Sequence, residues 1–137
     1  MFMRDYEETW AQRIREAGKY PCIHLDGTIR GLLRETCSTS LTFNEALTPG
    51  PAGDLEIERW AEWSGNLRTI LWGSLPGVFF TDLVSNEDFD RHTRHVLEVM
   101  RSQPRYVLGV ADQVPPDGLE RRVRRVRDPV EDYGAYS

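Results

Sequence analysis

Cysteine is scarce in this chain. Cys22 and Cys37 are its only two, and no CxxC pair occurs. A disulfide framework is therefore excluded, and a reducing compartment is the default expectation. Long hydrophobic runs are missing as well, since no apolar stretch approaches the roughly 20 residues that a membrane-crossing helix needs. There is no GxGxxG and no GxxxxGK[ST], so the common phosphate-cradling loops are absent. Positive charge is not in excess: the formal net charge is -5, which argues against general affinity for nucleic acid or an anionic membrane surface. The opening Met1-Phe2-Met3-Arg4-Asp5 leads directly into an acidic amphipathic segment, unlike a signal peptide. A soluble, cytoplasmic protein is expected.

What remains is an ordinary globular composition, 39% hydrophobic and 28% charged over 137 residues, which is the size of one domain, residues 1–137. The hydrophobic spacing predicts a helix over 5–18, capped by Asp5 with Glu8 reaching back, and carrying Tyr6, Trp10 and Ile14 on one stripe. Four strand–helix units then fill 20–134. The strands are expected at Pro21–Leu25, Leu41–Leu47, Arg68–Trp72 and Tyr106–Val110. The helices between them are expected at Thr28–Cys37, after Asp54 as cap, and from a Ser85/Asp88 capping box. Val78–Leu83 reads as a loop or short helix. The last helix, from about Gly118, places Leu119, Val123, Val126 and Val130 at core spacing, with Arg121, Arg122, Arg124, Arg125 and Arg127 as a solvated basic face. Alternation of this kind implies a parallel sheet with helical crossovers. Two architectures fit: a four-stranded sheet covered on both faces, or half of a (β/α)8 barrel, because a whole barrel takes roughly 250 residues.

The chemistry-bearing stretch is Tyr20-Pro21-Cys22-Ile23-His24-Leu25-Asp26-Gly27. Alternation along a strand points His24 and Asp26 to one side and Ile23 and Leu25 to the other. They stand at the carboxyl end of the strand, where α/β proteins commonly bind and react. Read alone, His24 is equally well an interior histidine and Asp26 a cap for the helix after Gly27. His92 and His95, three apart on a helix, lack acidic or thiol neighbours at a useful spacing and read as a solvated or partly packed pair.

Three segments, His24-Leu25-Asp26-Gly27, Ile70-Leu71-Trp72-Gly73-Ser74-Leu75-Pro76 and Tyr106 through Asp117, resemble in order the C-terminal half of the uroporphyrinogen decarboxylase superfamily, which includes corrinoid-dependent methyltransferases. The resemblance implies strands five to eight of a (β/α)8 barrel. Ser74 stands where the family's turn has asparagine, and Asp112 where the decarboxylases have histidine. The zinc methyltransferases of the family carry His-x-Cys and a second cysteine at the positions of His24, Asp26 and Asp112. The resemblance thus implies a metal held by His24, Asp26 and Asp112, with hard carboxylates replacing thiolates.

Such a set suits zinc with an exchangeable oxygen ligand, or iron, manganese or magnesium. Metal-assisted methyl transfer on an oxygen substrate, with a corrinoid supplied through a partner, is the implied reaction. Glu45 is a candidate fourth ligand or general base; Phe43, Trp72, Ser74 and Gln113 are candidates for substrate contacts. In the alternative enzyme, Asp112 and Asp26 act as acid and base without metal, in a decarboxylase. A half-barrel would have two open strand edges and a bare inner face. Closure by a homodimer or by a separate N-terminal-half polypeptide is therefore expected; a non-catalytic subunit or truncated remnant is the remaining alternative.

Overall fold

The computed structural model describes residues 3–65 and 68–134; Met1 and Phe2, at the start of the opening segment, lie outside them. The chain is α/β. Its order is α1 (Arg4–Glu16), β1 (Cys22–His24), α2 (Leu33–Cys37), β2 (Phe43–Leu47), a 3-10 turn at Ile57–Arg59 leading into α3 (Trp60–Ser64), β3 (Ile70–Pro76), a second 3-10 turn at Gly77–Phe80, α4 (Asn86–Met100), β4 (Tyr106–Ala111), α5 (Glu120–Arg125) and α6 (Arg127–Tyr133). All four strands are parallel, in the spatial order β1-β2-β3-β4. No strand order reverses, as it would at the crevice of a doubly wound sheet. Crossovers between successive parallel neighbours are right-handed as a rule, which puts the intervening helices on one face. This arrangement is compatible with half of a TIM barrel.

The helix-side core gathers Leu33 from α2, Leu47 from β2, Trp60 from α3, Leu71 from β3, Val96 from α4 and Tyr106 from β4. The register explains the two faces. Asn44 pairs with Leu71, and Leu71 with Tyr106, and all three are buried. Their chain neighbours Phe43, Trp72 and Val107 turn the other way, and Trp72 and Val107 are each 37% exposed. One side of the sheet is packed and the other is open.

Between β2 and β3 the pairing moves from Asn44↔Leu71 to Leu47↔Gly73. Three steps on one strand oppose two on the other, which is a β-bulge. Ala46 takes up the extra residue with φ 67°, so that Ala46 and Leu47 are both buried. Gly73, at φ 141°, lets the strands close there: a Cβ would stand 2.5 Å from the Leu47 carbonyl oxygen.

Several local expectations are corrected. Asp5 does not cap α1, which starts after Met3 without a side-chain cap; Glu8 instead binds the Ser40 amide at 2.7 Å and the Ser40 hydroxyl. Asp54 caps the wrong-way neighbour, its Oδ1 accepting from the Ile29 and Arg30 amides at 2.8 and 3.1 Å. The helix expected from Thr28 begins only at Leu33, and Asp54, not Asp26, caps the turn before it. β3 runs to Pro76, four residues past Trp72. The Ser85 cap is as expected, with the Asp88 amide donating to Ser85 Oγ at 3.0 Å.

The C-terminal helix is rotated from its expected setting. Val123 and Val130 are exposed, while Arg122 is 2% exposed. Its guanidinium donates to the carbonyls of Phe79 (2.6 Å), Thr81 and Val84 and to Asn86 Oδ1 (3.2 Å). It ties α5 to the loop after β3, whose carbonyls need donors once buried.

Candidate metal centre

The open side of the sheet ends in a polar cluster at the carboxyl ends of the strands. His24 and Glu45 are register partners on adjacent strands, so both side chains leave the same face. His24 Nδ1 lies 2.7 Å from Glu45 Oε2. Its Nε2 lies 3.3 Å from Asp112 Oδ1. Ligand atoms of His24, Asp26 and Asp112 all fall within 4.8 Å of one another. Asp112 follows β4, three strand spacings from β1, or about 14 Å measured along a sheet. Contact between the two edges means that the sheet curls, as a barrel wall does.

Backbone strain collects at this rim. Ala46, Ser74 and Asp112, at the ends of β2, β3 and β4, all have positive φ: 67°, 84° and 68°. Aspartate tolerates the left-handed region better than most residues, and alanine and serine seldom occupy it. Such conformations persist where surrounding structure over-determines them, and they concentrate at functional sites.

The electrostatics follow from the geometry. The Glu45 hydrogen bond, with the charges of Glu45, Asp112 and Asp26, holds the His24 pKa above the ordinary histidine value, against the opposing effect of burial. By linkage this favours the folded state below the unfolded pKa and is lost as pH rises through the folded one. The ring is half exposed, so solvent screens much of that gain. Cys22, two residues before His24 on the same face, has its thiol pushed up by burial and by Glu45.

Bonds of 2.0–2.2 Å from a divalent ion to nitrogen and oxygen place opposite ligands about 4.2 Å apart. The 4.8 Å spread of the three donors therefore contracts onto an ion with sub-ångström movement. Nε2 of His24 faces Asp112 and is the ring nitrogen that Glu45 leaves free. Nδ1 is occupied by Glu45, the carboxylate–histidine contact that orients the ring of metal-ligating histidines. Glu45, expected as a fourth ligand or general base, stands 2.7 Å from His24 Nδ1 and so also orients the ring.

The remaining candidates divide. Trp72 and Phe43 meet edge to face on the open side, with centroids 6.1 Å apart. The Trp72 indole lies over Gly109, where any methyl would overlap it. They form an apolar wall beneath the cluster. Gln113 is exposed beside Asp112. Ser74 is corrected: it is 0% exposed, its hydroxyl held by Tyr106 OH and the Gly73 carbonyl. It is buried because β3 continues past the turn expected there. Neither Asp26 nor Asp112 is shut away from water, so burial does not set one apart as the acid of a metal-free pair.

His92 and His95 do not join each other. His92 Nε2 meets the Ser74 carbonyl at 2.9 Å and its ring stacks on Phe79. His95 meets Glu58 at 2.7 Å, an acidic neighbour the linear spacing concealed. Among the described residues no helix is long and apolar enough to cross a membrane. No protein-family model and no curated protein matches the chain.

Proposed function

We propose that His24, Asp26 and Asp112 hold a divalent metal ion at the rim of a half-barrel, and that the centre activates the oxygen of a small substrate for methyl transfer. The observation that carries the reading is the His24 imidazole, fixed on one nitrogen by Glu45 and presented on the other to Asp112, with Asp26 within ligand range. A bound ion would supply Lewis acidity and lower the pKa of a coordinated hydroxyl or water. Asp26 and Asp112 would neutralise its charge, Glu45 accepts from Nδ1–H so that the neutral His24 ring presents the lone pair of Nε2, and Trp72 with Phe43 offers apolar contact to the substrate body. One nitrogen and two carboxylates leave positions open for a substrate oxygen and select hard or borderline ions over a closed thiolate site. The order and chemistry of the three strand-end segments, which resemble uroporphyrinogen decarboxylase-superfamily methyltransferases, support methyl transfer over decarboxylation. A corrinoid would come through a partner.

The test is metal uptake, followed by equilibrium dialysis against zinc, manganese and magnesium with elemental analysis. Wild type is expected to retain about one equivalent. His24→Ala and Asp112→Ala are expected to lose it with their circular dichroism unchanged. Glu45→Gln should weaken affinity by about 10- to 100-fold, as loss of an orienting partner does. Uptake unaffected by His24→Ala would sink the proposal, as would absence of uptake by wild type.

A further inference from the structure

Four parallel strands in sequential order leave two unlike edges. β1 offers one side of a parallel ladder, β4 the other, and nothing among the described residues pairs with either. Below the metal cluster the open face carries Phe43, Ile70, Trp72 and Val107. Each edge is flanked by an apolar groove. Beside β1 a cleft of about 270 Å³ runs past Tyr6, Trp10 and Pro21, with Tyr6 57% and Trp10 46% exposed. Beside β4 a cleft of about 360 Å³ runs past Val107, Val130 and Tyr133. A folded monomer of 15.8 kDa is expected to expose about 7,300 Å², whereas this chain exposes 8302 Å². The surplus, on the order of 1,000 Å², matches the roughly 800 Å² per partner that a stable interface buries.

We infer that a second copy of this chain closes the sheet into an eight-stranded parallel barrel, β4 of each copy pairing with β1 of the other. One chain supplies both edge types, so a single two-fold rotation about an axis along the strands makes both junctions at once and leaves no edge. Eight is the strand number at which inward side chains fill the interior. Phe43, Ile70, Trp72 and Val107 of both copies become that filling. The two grooves come together at each junction, so that α1 of one copy lies beside α6 of the other. The inference does not depend on the metal reading, because edges, grooves and bare face exist whatever the cluster binds.

The experiment is sedimentation equilibrium on the 137-residue chain over about 1 to 100 µM, with chelator and with added manganese. A mass of twice 15.8 kDa is expected in both conditions. Trp72→Glu and Val107→Glu should each raise the dimer Kd by about a hundredfold or more. Leu83→Glu, at an 80% exposed position in the loop before α4, should leave it unchanged. Should Trp72→Glu lose its circular dichroism, Val107→Glu carries the test. A monomer throughout, an open-ended polymer, or a dimer indifferent to Val107→Glu overturns the inference. A dimer in chelator that takes up no manganese leaves it standing and defeats only the metal reading.

Discussion

Arg122 shows how a single residue can escape a correct pattern. Five arginines interleaved with valines at helical spacing describe an amphipathic helix, and the helix is there. Spacing fixes the period but not the phase, since nothing local says whether Val123 or Arg122 faces inward. The phase is set by the carbonyls of Phe79, Thr81 and Val84 at the far side of the contact, which lie about forty positions away. Arg122→Ala should cost about 3 kcal/mol, because it strands buried acceptors. Arg121→Ala, on the solvated side, should stay within about 0.5 kcal/mol. Urea denaturation of both variants measures the difference; equal costs would show that the clasp contributes nothing. The rim residues were easier to foresee. His24 and Asp26 follow from strand parity, and Asp112 from the resemblance of its segment to a family's strand end. Glu45 bound to the ring could not be read, because it depends on the register His24↔Glu45.

At the scale of elements, strand order and type were legible because each strand is a short apolar run between turn signals. Element lengths were not. Asp54 accepts from the Ile29 and Arg30 amides and so caps the turn that leads into α2, a pairing between segments far apart in sequence. β3 outruns its expected end because Gly73 and Ser74, which signal a turn, are used for a close approach and a strained step within the strand. The packing of α4 against β3 has a pH signature. A carbonyl only accepts, so His92 Nε2 carries the proton donated to Ser74 O. Burial holds the His92 pKa below its ordinary value, outweighing that hydrogen bond. The unfolded chain then binds a proton more readily than the folded one, so stability falls as pH drops below the unfolded value of about 6.5. Denaturant midpoints between about pH 7 and 5.5 should decline at up to ~1.4 kcal/mol per pH unit from this source. His92→Gln, which keeps a donor toward Ser74, should flatten the decline. An identical slope in the variant would remove His92 as its cause.

At the scale of the molecule, the orientation of a closing partner has an electrostatic consequence. If two copies join edge to edge with all strands parallel, both clusters stand at one rim. Asp26, Glu45 and Asp112 of each copy then share a single mouth, with only two histidines between them. If instead two open faces stacked with strands opposed, the clusters would lie at opposite ends and ignore each other. Salt tells the two arrangements apart, because only the first sets like charges side by side. In chelator, raising salt from about 50 to 500 mM shortens the screening length from above 10 Å to below 5 Å. For the parallel barrel this should tighten the dimer severalfold, because like charges at the mouth are screened. Asp26→Asn with Asp112→Asn should give the same gain at low salt and abolish the response. A dimer whose Kd is flat in salt would place the clusters apart and refute parallel closure, even if its mass were correct. Divalent ions acting at far lower concentration than sodium would tie the charge relief to the ligands themselves.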